Sequence, residues 1–119
     1  MSTYRESEII TKPWGTEKIL LLGDRYVIKI LTIAAGHGTS IQFHTNKDES
    51  VSLIDGSGSL LIFDDVESEP EKISLSHGQW NRIVPGKIHR MESDQGCQIL
   101  EVSTPELDDV TRLVDPYKR

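Results

Sequence analysis

Residues 40–56 read SIQFHTNKDESVSLIDG and place polar side chains where a β-sheet protein normally fills its core. In a strand, residues two positions apart face the same side, so Gln42 and His44 share one face. Glu49 begins the next predicted strand, and its side chain lies on the face of that strand that points towards the core. If the two strands are neighbours, the amide, the imidazole and the carboxylate converge at one end of the fold.

Short predicted strands, separated by turn residues, continue on both sides of this stretch. The dipeptide Asp55-Gly56 predicts a hairpin that pairs the strand from Glu49 with the strand at 59–63. No long helical pattern is present, and we expect at most one short helical turn in the tail after residue 104. The predicted strands lie at 26–36, 40–45, 49–58, 59–63, 72–75, 80–84, 88–92 and 97–104. Strands spaced by roughly ten residues predict an all-β fold, either a sandwich or an antiparallel jelly-roll β-barrel.

Length and charge limit the classes of function. The 119 residues predict a single domain over residues 1–119, with its core at about residues 12–104 between an N-terminal arm and a C-terminal extension. Thirteen basic and nineteen acidic residues give a net charge of −6, which argues against a nucleic-acid partner because backbone binders need clustered Lys and Arg. No apolar run approaches the ~18 residues that span a bilayer, so we expect no membrane partner. We also expect no secretory signal, and the one cysteine, Cys97, suits a cytoplasmic location.

His89 adds a further polar group, shortly after the VPG turn at 84–86. Two imidazoles, a carboxylate and an amide oxygen are donors that bind divalent metal ions. Imidazole suits zinc, copper, iron or nickel, and the carboxylate adds negative charge. The alternative is that these side chains are rim residues, hydrogen-bonded to loops.

The spacing of these residues resembles the metal-binding motifs of the cupin superfamily. The first motif appears as Gly36, five residues, Gln42-x-His44, four residues, Glu49, six residues and Gly56, with glutamine in place of the first histidine. The second motif is similar to the run of Gly78, VPG at 84–86, two residues and His89.

Within the cupins, the chain is similar to the phosphomannose isomerase-like group over roughly residues 12–119. Members of that group carry a PWG turn, an S-x-Q-x-H strand and a G-x-x-H-R turn. The corresponding stretches here are KPWG (12–15), SIQFH (40–44) and GKIHR (86–90).

The resemblance implies a cupin jelly roll in which Gln42, His44, Glu49 and His89 bind a divalent metal ion. Zinc is the implied metal, with iron, manganese or nickel as alternatives, and the implied partner is a small-molecule sugar or sugar phosphate. The implied reaction is the aldose–ketose isomerisation of mannose 6-phosphate. The family also implies a homodimer, to which the segment before Pro13 could supply an exchanged strand.

The chain departs from the family pattern at Thr45, Asn46 and Lys47, where relatives usually carry further histidines and an arginine. Two other functions therefore stay open. One is an iron-dependent small-molecule dioxygenase, and the other is a non-catalytic, metal-containing cupin that binds a sugar.

Four further residues are candidates for chemistry on a sugar phosphate. Lys29 is a candidate for proton transfer if its side chain faces inward, although an exposed position is an equal alternative. Lys47, in the turn after the predicted strand at 40–45, and Lys87, near His89, are candidates for binding the phosphate. His37 lies in a loop at the expected mouth of the barrel and could contact the ligand.

Overall fold

The computed structural model describes residues 8–118, and every helix or strand assigned in that range is a β-strand. In chain order these are β1 (Glu8–Lys12), β2 (Gly15–Leu22), β3 (Val27–Ile33), β4 (His37–Gly38), β5 (Ile41–Phe43), β6 (Glu49–Gly56), β7 (Ser59–Phe63), β8 (Glu71–Ser74), β9 (Asn81–Ile83), β10 (Ile88–Ser93), β11 (Cys97–Ser103) and β12 (Thr111–Val114). The same range contains no helix that is long and apolar enough to cross a membrane.

The strands form two antiparallel sheets that face each other as a sandwich. The first sheet has the strand order β1-β2-β3-β11-β6-β9. The second has the order β12-β5-β10-β7-β8, and β4 pairs with β10. Strands far apart in the sequence, such as β3 and β11, lie side by side, which is typical of a jelly roll. The prediction of an all-β jelly-roll fold is confirmed.

The hydrophobic core lies between the sheets and is built from alternating inward residues. Strands β3 and β11 alternate between buried and half-buried positions along their whole length. Leu31, Ile33 and Ile99 are almost fully buried there, in one cluster with Leu60 of the facing sheet. Burying one such aliphatic side chain is worth about 1.5–3 kcal/mol, so this cluster supplies much of the stability.

The KPWG turn at 12–15 joins β1 to β2 and places Trp14 in the core. Trp14 is 4% exposed. Gly15 has a positive φ of 151°, and a Cβ there would collide with the carbonyl oxygen of Thr32, so the turn requires glycine. The second tryptophan, Trp80, lies outside the core and is 51% exposed.

One predicted strand pairing is wrong, and a second pairing that the sequence left conditional does not occur. The Asp55-Gly56 turn does not form a hairpin, because β6 is already paired with β11 on one side and β9 on the other. The chain therefore crosses to the other sheet, where β7 pairs with β8 and β10. Strands β5 and β6 are not neighbours either, since β5 lies between β10 and β12. Their polar side chains meet across the sandwich rather than along one sheet.

The sequence patterns missed the strands at both ends of the chain. β1 and β2 precede the first predicted strand, and β12 replaces the short helical turn that was predicted in the tail. Of the segment before Pro13, residues 8–12 pair with β2 of the same chain. Residues 1–7, the remainder of the expected N-terminal arm, lie outside the described range.

Candidate metal centre

Three side chains from both sheets meet at one end of the sandwich. His44 follows β5, His89 lies in β10 of the same sheet, and Glu49 begins β6 of the facing sheet. The Nε2 atoms of His44 and His89 lie 3.3 Å and 3.2 Å from Oε1 of Glu49. All three side chains are buried, and their ligand atoms lie within 4.8 Å of one another.

Backbone carbonyl groups orient both imidazole rings. Nδ1 of His44 donates to the carbonyl oxygen of Asp109 at 2.6 Å, and Nδ1 of His89 donates to that of Lys87 at 2.8 Å. A carbonyl oxygen can only accept, so each Nδ1 carries a proton and each Nε2 is left pointing at Glu49. This is the arrangement that commonly supports histidine ligands of metal ions.

The atoms between the three side chains require a positive charge. Both carboxylate oxygens of Glu49 and Nε2 of His89 are buried without a hydrogen-bond partner among the described residues. Burial acts to raise the pKa of the Glu49 carboxyl, but the two imidazoles and the Lys47 ammonium hold that pKa well below its usual range. A divalent cation bound there would supply this charge.

The distances also fit a metal ion. Two ligand atoms that each lie about 2.1 Å from one ion, at angles of about 90–109°, are separated by about 3.0–3.4 Å. The separations of 3.2 Å and 3.3 Å fall in this range. His44, Glu49 and His89 could therefore hold zinc, iron, manganese or nickel, because imidazole and carboxylate ligands serve all four.

Gln42, the fourth predicted ligand, lies next to His89 on the neighbouring strand. A cavity opens beside the three side chains, and Gln42 lines it together with His44 and Glu49. Oε1 of Gln42 accepts a hydrogen bond from the Ser40 hydroxyl at 2.7 Å, which orients the amide. Coordination by Gln42 stays a prediction.

Lys47 is buried beside the centre instead of being free in a turn. Its Nζ lies 3.2 Å from Glu49 and 3.3 Å from Glu101. Burial acts to lower the pKa of the Lys47 amine, but Glu101 and Glu49 outweigh burial and raise it. Burial, followed by the charge of Glu49, raises the pKa of Glu101 to about 7. Lys47 thus pairs with two buried acidic side chains, an arrangement that competes with the predicted binding of a phosphate.

Lys29 faces inward, which was one of the two predicted alternatives. It is 4% exposed, and its Nζ pairs with Oε2 of Glu17 at 3.4 Å. Both side chains line the cavity that contains His44 and Glu49. The cavity wall therefore holds an amine and a carboxylate close together. Neither group is among the direct contacts of the three candidate ligands.

The other two predicted ligand-binding residues do not line this cavity. His37 is exposed, and its ring stacks on Tyr117 and shares a hydrogen bond of 2.8 Å with the hydroxyl group. The side chain of Lys87 lies 3.8 Å from Asp64, in a different surface depression.

Sequence reasoning missed three acidic residues that shape the site: Glu17, Glu101 and Asp109. The carboxylate of Asp109 accepts hydrogen bonds from the backbone amides of Thr45, Asn46 and Lys47, and Asn46 and Thr45 lower its pKa. A signal for Glu101 was present, because it occupies an inward position in the alternating strand CQILEVST. Glu17 and Asp109 carry no such local signal.

Comparison with known proteins identifies similar chains. A family model described as "Mannose-6-phosphate isomerase C-terminal" matches residues 2–115. The chain is 31% identical over 122 residues to a mannose-1-phosphate guanylyltransferase of Escherichia coli (strain K12), covering 98% of this chain and 24% of that protein. It is 25% identical over 115 residues to the alginate biosynthesis protein AlgA of Pseudomonas aeruginosa, covering 92% of this chain and 23% of the relative. The chain thus spans about a quarter of the length of these relatives.

Solved structures share the fold. The capsular polysaccharide assembling protein CapF of Staphylococcus aureus superposes with a TM-score of 0.75 at 16% identity, covering 92% of this chain and 32% of that one. Oxalate decarboxylase of Bacillus subtilis, a protein with Mn(II) centres, superposes with a TM-score of 0.74 at 17% identity, covering 91% and 30% of the two chains. These superpositions show the shared fold, and the family match over residues 2–115 confirms the resemblance to the phosphomannose isomerase-like cupins.

Proposed function

Since the chain belongs to the mannose-6-phosphate isomerase C-terminal family of cupins, we propose that it is a metal-dependent domain that acts on a sugar phosphate. The reaction that we propose is the isomerisation of mannose 6-phosphate. The whole-protein activity of its much longer relatives is not needed for this proposal.

The observation that carries the proposal is the group of buried ligand atoms that lack a hydrogen bond, although Lys47 lies 3.2 Å from one oxygen of Glu49. Glu49 and His89 direct buried atoms at a common point, and they have no hydrogen-bond partner within residues 8–118. Leaving buried polar groups unpaired costs free energy that a protein normally avoids. A divalent ion bound there would remove that cost and polarise the carbonyl and hydroxyl oxygens of a sugar.

The Lys29–Glu17 pair is suited to the proton transfers of the isomerisation. The Glu17 carboxylate can accept the proton from C2 of the aldose and return it to C1. The proton of the C2 hydroxyl group moves to the oxygen on C1, which becomes a hydroxyl group. The Lys29 ammonium can donate a hydrogen bond to the oxygen on which negative charge develops. Burial of Lys29 strengthens that interaction, because little water competes for it.

A second candidate function is sugar binding without turnover. The specific observation in its favour is Lys47, which is engaged by Glu49 and Glu101. The predicted binding of phosphate by this side chain would require both ion pairs to rearrange. A non-catalytic domain could keep the metal ion for stability and still bind a sugar.

We further propose that residues 1–119 form one domain and that two copies associate. β1 lies at the edge of its sheet and pairs with β2 alone among the described strands, so its other edge can receive a strand from a second copy. Sedimentation of the purified chain at several concentrations measures this association, and a monomer at all concentrations contradicts it.

The proposed function is tested by metal analysis and enzyme assay on the same preparations. We expect about one divalent ion per wild-type chain, and loss of most of the metal in His44→Ala and in His89→Ala. His77→Ala is the matched control, because His77 is exposed and outside the cavity. Interconversion of mannose 6-phosphate and fructose 6-phosphate should follow the metal content.

Each result separates the two functions. Turnover that is lost with the metal supports the isomerase. Tight binding of mannose 6-phosphate without turnover supports the sugar-binding domain. Full metal occupancy in both histidine variants contradicts the assignment of the ligands, and absence of both metal and sugar binding contradicts both functions.

A further inference from the structure

The charges that line the cavity are not evenly paired. Lys29 is paired with Glu17, and Lys47 is paired with Glu49 and Glu101. The cavity contains two more cationic side chains, Lys12 and Arg112. Neither has an ion-pair partner in the part of the chain that the structure describes.

The remaining anion of the cavity is already engaged. The two carboxylate oxygens of Asp109 accept three backbone amides from the turn after His44. Four cationic and four acidic side chains line the cavity, and a ligand that enters it meets two cations, Lys12 and Arg112, that form no ion pair with the described residues. These two cations can pair with an anionic group of a ligand without breaking an existing ion pair.

The strand register places Arg112 on the same face as the metal ligands. Arg112 lies directly opposite Gln42, and Gln42 lies directly opposite His89. Residues directly opposite each other in an antiparallel pair project to the same side. Two strand spacings separate the backbones of Arg112 and His89 by about 10 Å, and Arg112, although exposed, lines the same cavity as His44 and Glu49.

Lys12 enters the cavity from the other sheet. It is the last residue of β1, opposite Gly15, which in turn lies opposite the core residue Ile33. The glycine-dependent turn at 13–15 therefore fixes Lys12 on the inward face of its sheet. Arg112 and Lys12 come from the edge strands of the two sheets.

We propose that Arg112 binds the phosphate group of the sugar phosphate, with Lys12 as a second, weaker contact. This inference rests on the proposed function. A phosphate monoester carries close to two negative charges at neutral pH, so it can pair with both cations at once. The guanidinium fork also suits two oxygens of one phosphate. The seven bonds from C1 of a hexose to the phosphorus of a 6-phosphate span at most about 8 Å, so one molecule can contact both the metal centre and Arg112.

The test measures binding of mannose 6-phosphate and of mannose to the metal-loaded chain by calorimetry. Arg112→Gln should weaken the binding of mannose 6-phosphate roughly tenfold to hundredfold, and Lys12→Met about two- to fivefold. Mannose, which has no anionic group, should bind each variant as it binds the wild type. Lys87→Met is the matched control and should change nothing, because Lys87 lies outside the cavity.

Two additional measurements keep the test decisive. Arg112→Lys keeps the charge without the fork and should give intermediate affinity, and a melting curve for each variant checks that it is folded. Wild-type affinity for mannose 6-phosphate in Arg112→Gln overturns this inference but leaves the proposed function standing. A wild type that binds mannose 6-phosphate no more tightly than mannose overturns the phosphate site itself, and with it the sugar-phosphate function.

Discussion

The inner face of the first sheet has two ends that differ in chemistry. At the apolar end, Ile99 of β11 lies between Leu31 of β3 and Leu53 of β6. At the charged end, two residues further along β11, Glu101 lies opposite Lys29. Residues at both ends are nearly inaccessible to water, and the same hydrogen-bonded strands carry them.

The difference between the two ends separates stability from function. Burying aliphatic side chains stabilises the fold, whereas burying charges costs desolvation free energy even when they are paired. Replacing a buried ion pair by apolar residues of similar size is often neutral or stabilising. The charged end is therefore costly for folding, which agrees with a role in binding a metal ion and a ligand.

The largest expected effect is at the apolar end, in Ile99→Ala. Ile99 is fully buried in the hydrophobic cluster, so the truncation loses transfer free energy and leaves a cavity. We expect the free energy of unfolding to fall by about 2–5 kcal/mol, measured by urea denaturation of the metal-free chain. Metal stoichiometry of the folded variant should equal that of the wild type. A loss below about 1 kcal/mol would show that the apolar end does not dominate stability.

Removal of the metal ion should have the next largest effect, and it acts on the charged end. An ion present at a hundred times its dissociation constant stabilises the folded state by about 2.7 kcal/mol. Thermal melts with and without a chelator measure this difference in the wild type and in His77→Ala, which should behave alike. His89→Ala should show no difference, and the same chelator effect in that variant would place the ion elsewhere.

The smallest of the three effects is expected for Asp109→Ala, which alters the support of the centre rather than a ligand. Asp109 holds the turn after His44 through its carboxylate and orients the His44 ring through its carbonyl group. Loss of such support commonly weakens metal binding roughly tenfold to hundredfold, which a competition titration with a metal indicator can measure. Asp108→Ala is the matched control. Equal affinity in the two variants would remove Asp109 from the site.

The fold was largely predictable because its strands alternate clearly between apolar and polar residues. The pattern in β11, CQILEVS, occurs in a strand whose two faces have different environments, and alternation is a local signal. β12 lacks that signal, since all four of its residues are exposed. Strand pairing is not a local property, which is why the Asp55-Gly56 turn predicted a hairpin that the two neighbours of β6 exclude.

The metal ligands were easier to identify than the residues around them. Gln42, His44, Glu49 and His89 have motif spacing, but the pairing of Lys29 with Glu17 and of Lys47 with Glu101 has no motif, and Glu101 is 54 positions from Lys47. The inward position of Lys29 depends on the register of β3 against β11, and the burial of Lys47 depends on Glu101. Such contacts require the three-dimensional arrangement of both sheets.

The hydrogen bond between His44 and the carbonyl group of Asp109 also determines when the centre can form as the chain folds. The two residues are 65 positions apart in the sequence, so a long loop must close before the imidazole is oriented, and this closure has an entropy cost. Contacts of such long sequence separation tend to slow folding. The two sheets can collapse around Ile99 before this contact exists, whereas a properly oriented His44 requires that the C-terminal segment has docked. Metal uptake by a refolding chain therefore reports the end of folding and not its beginning.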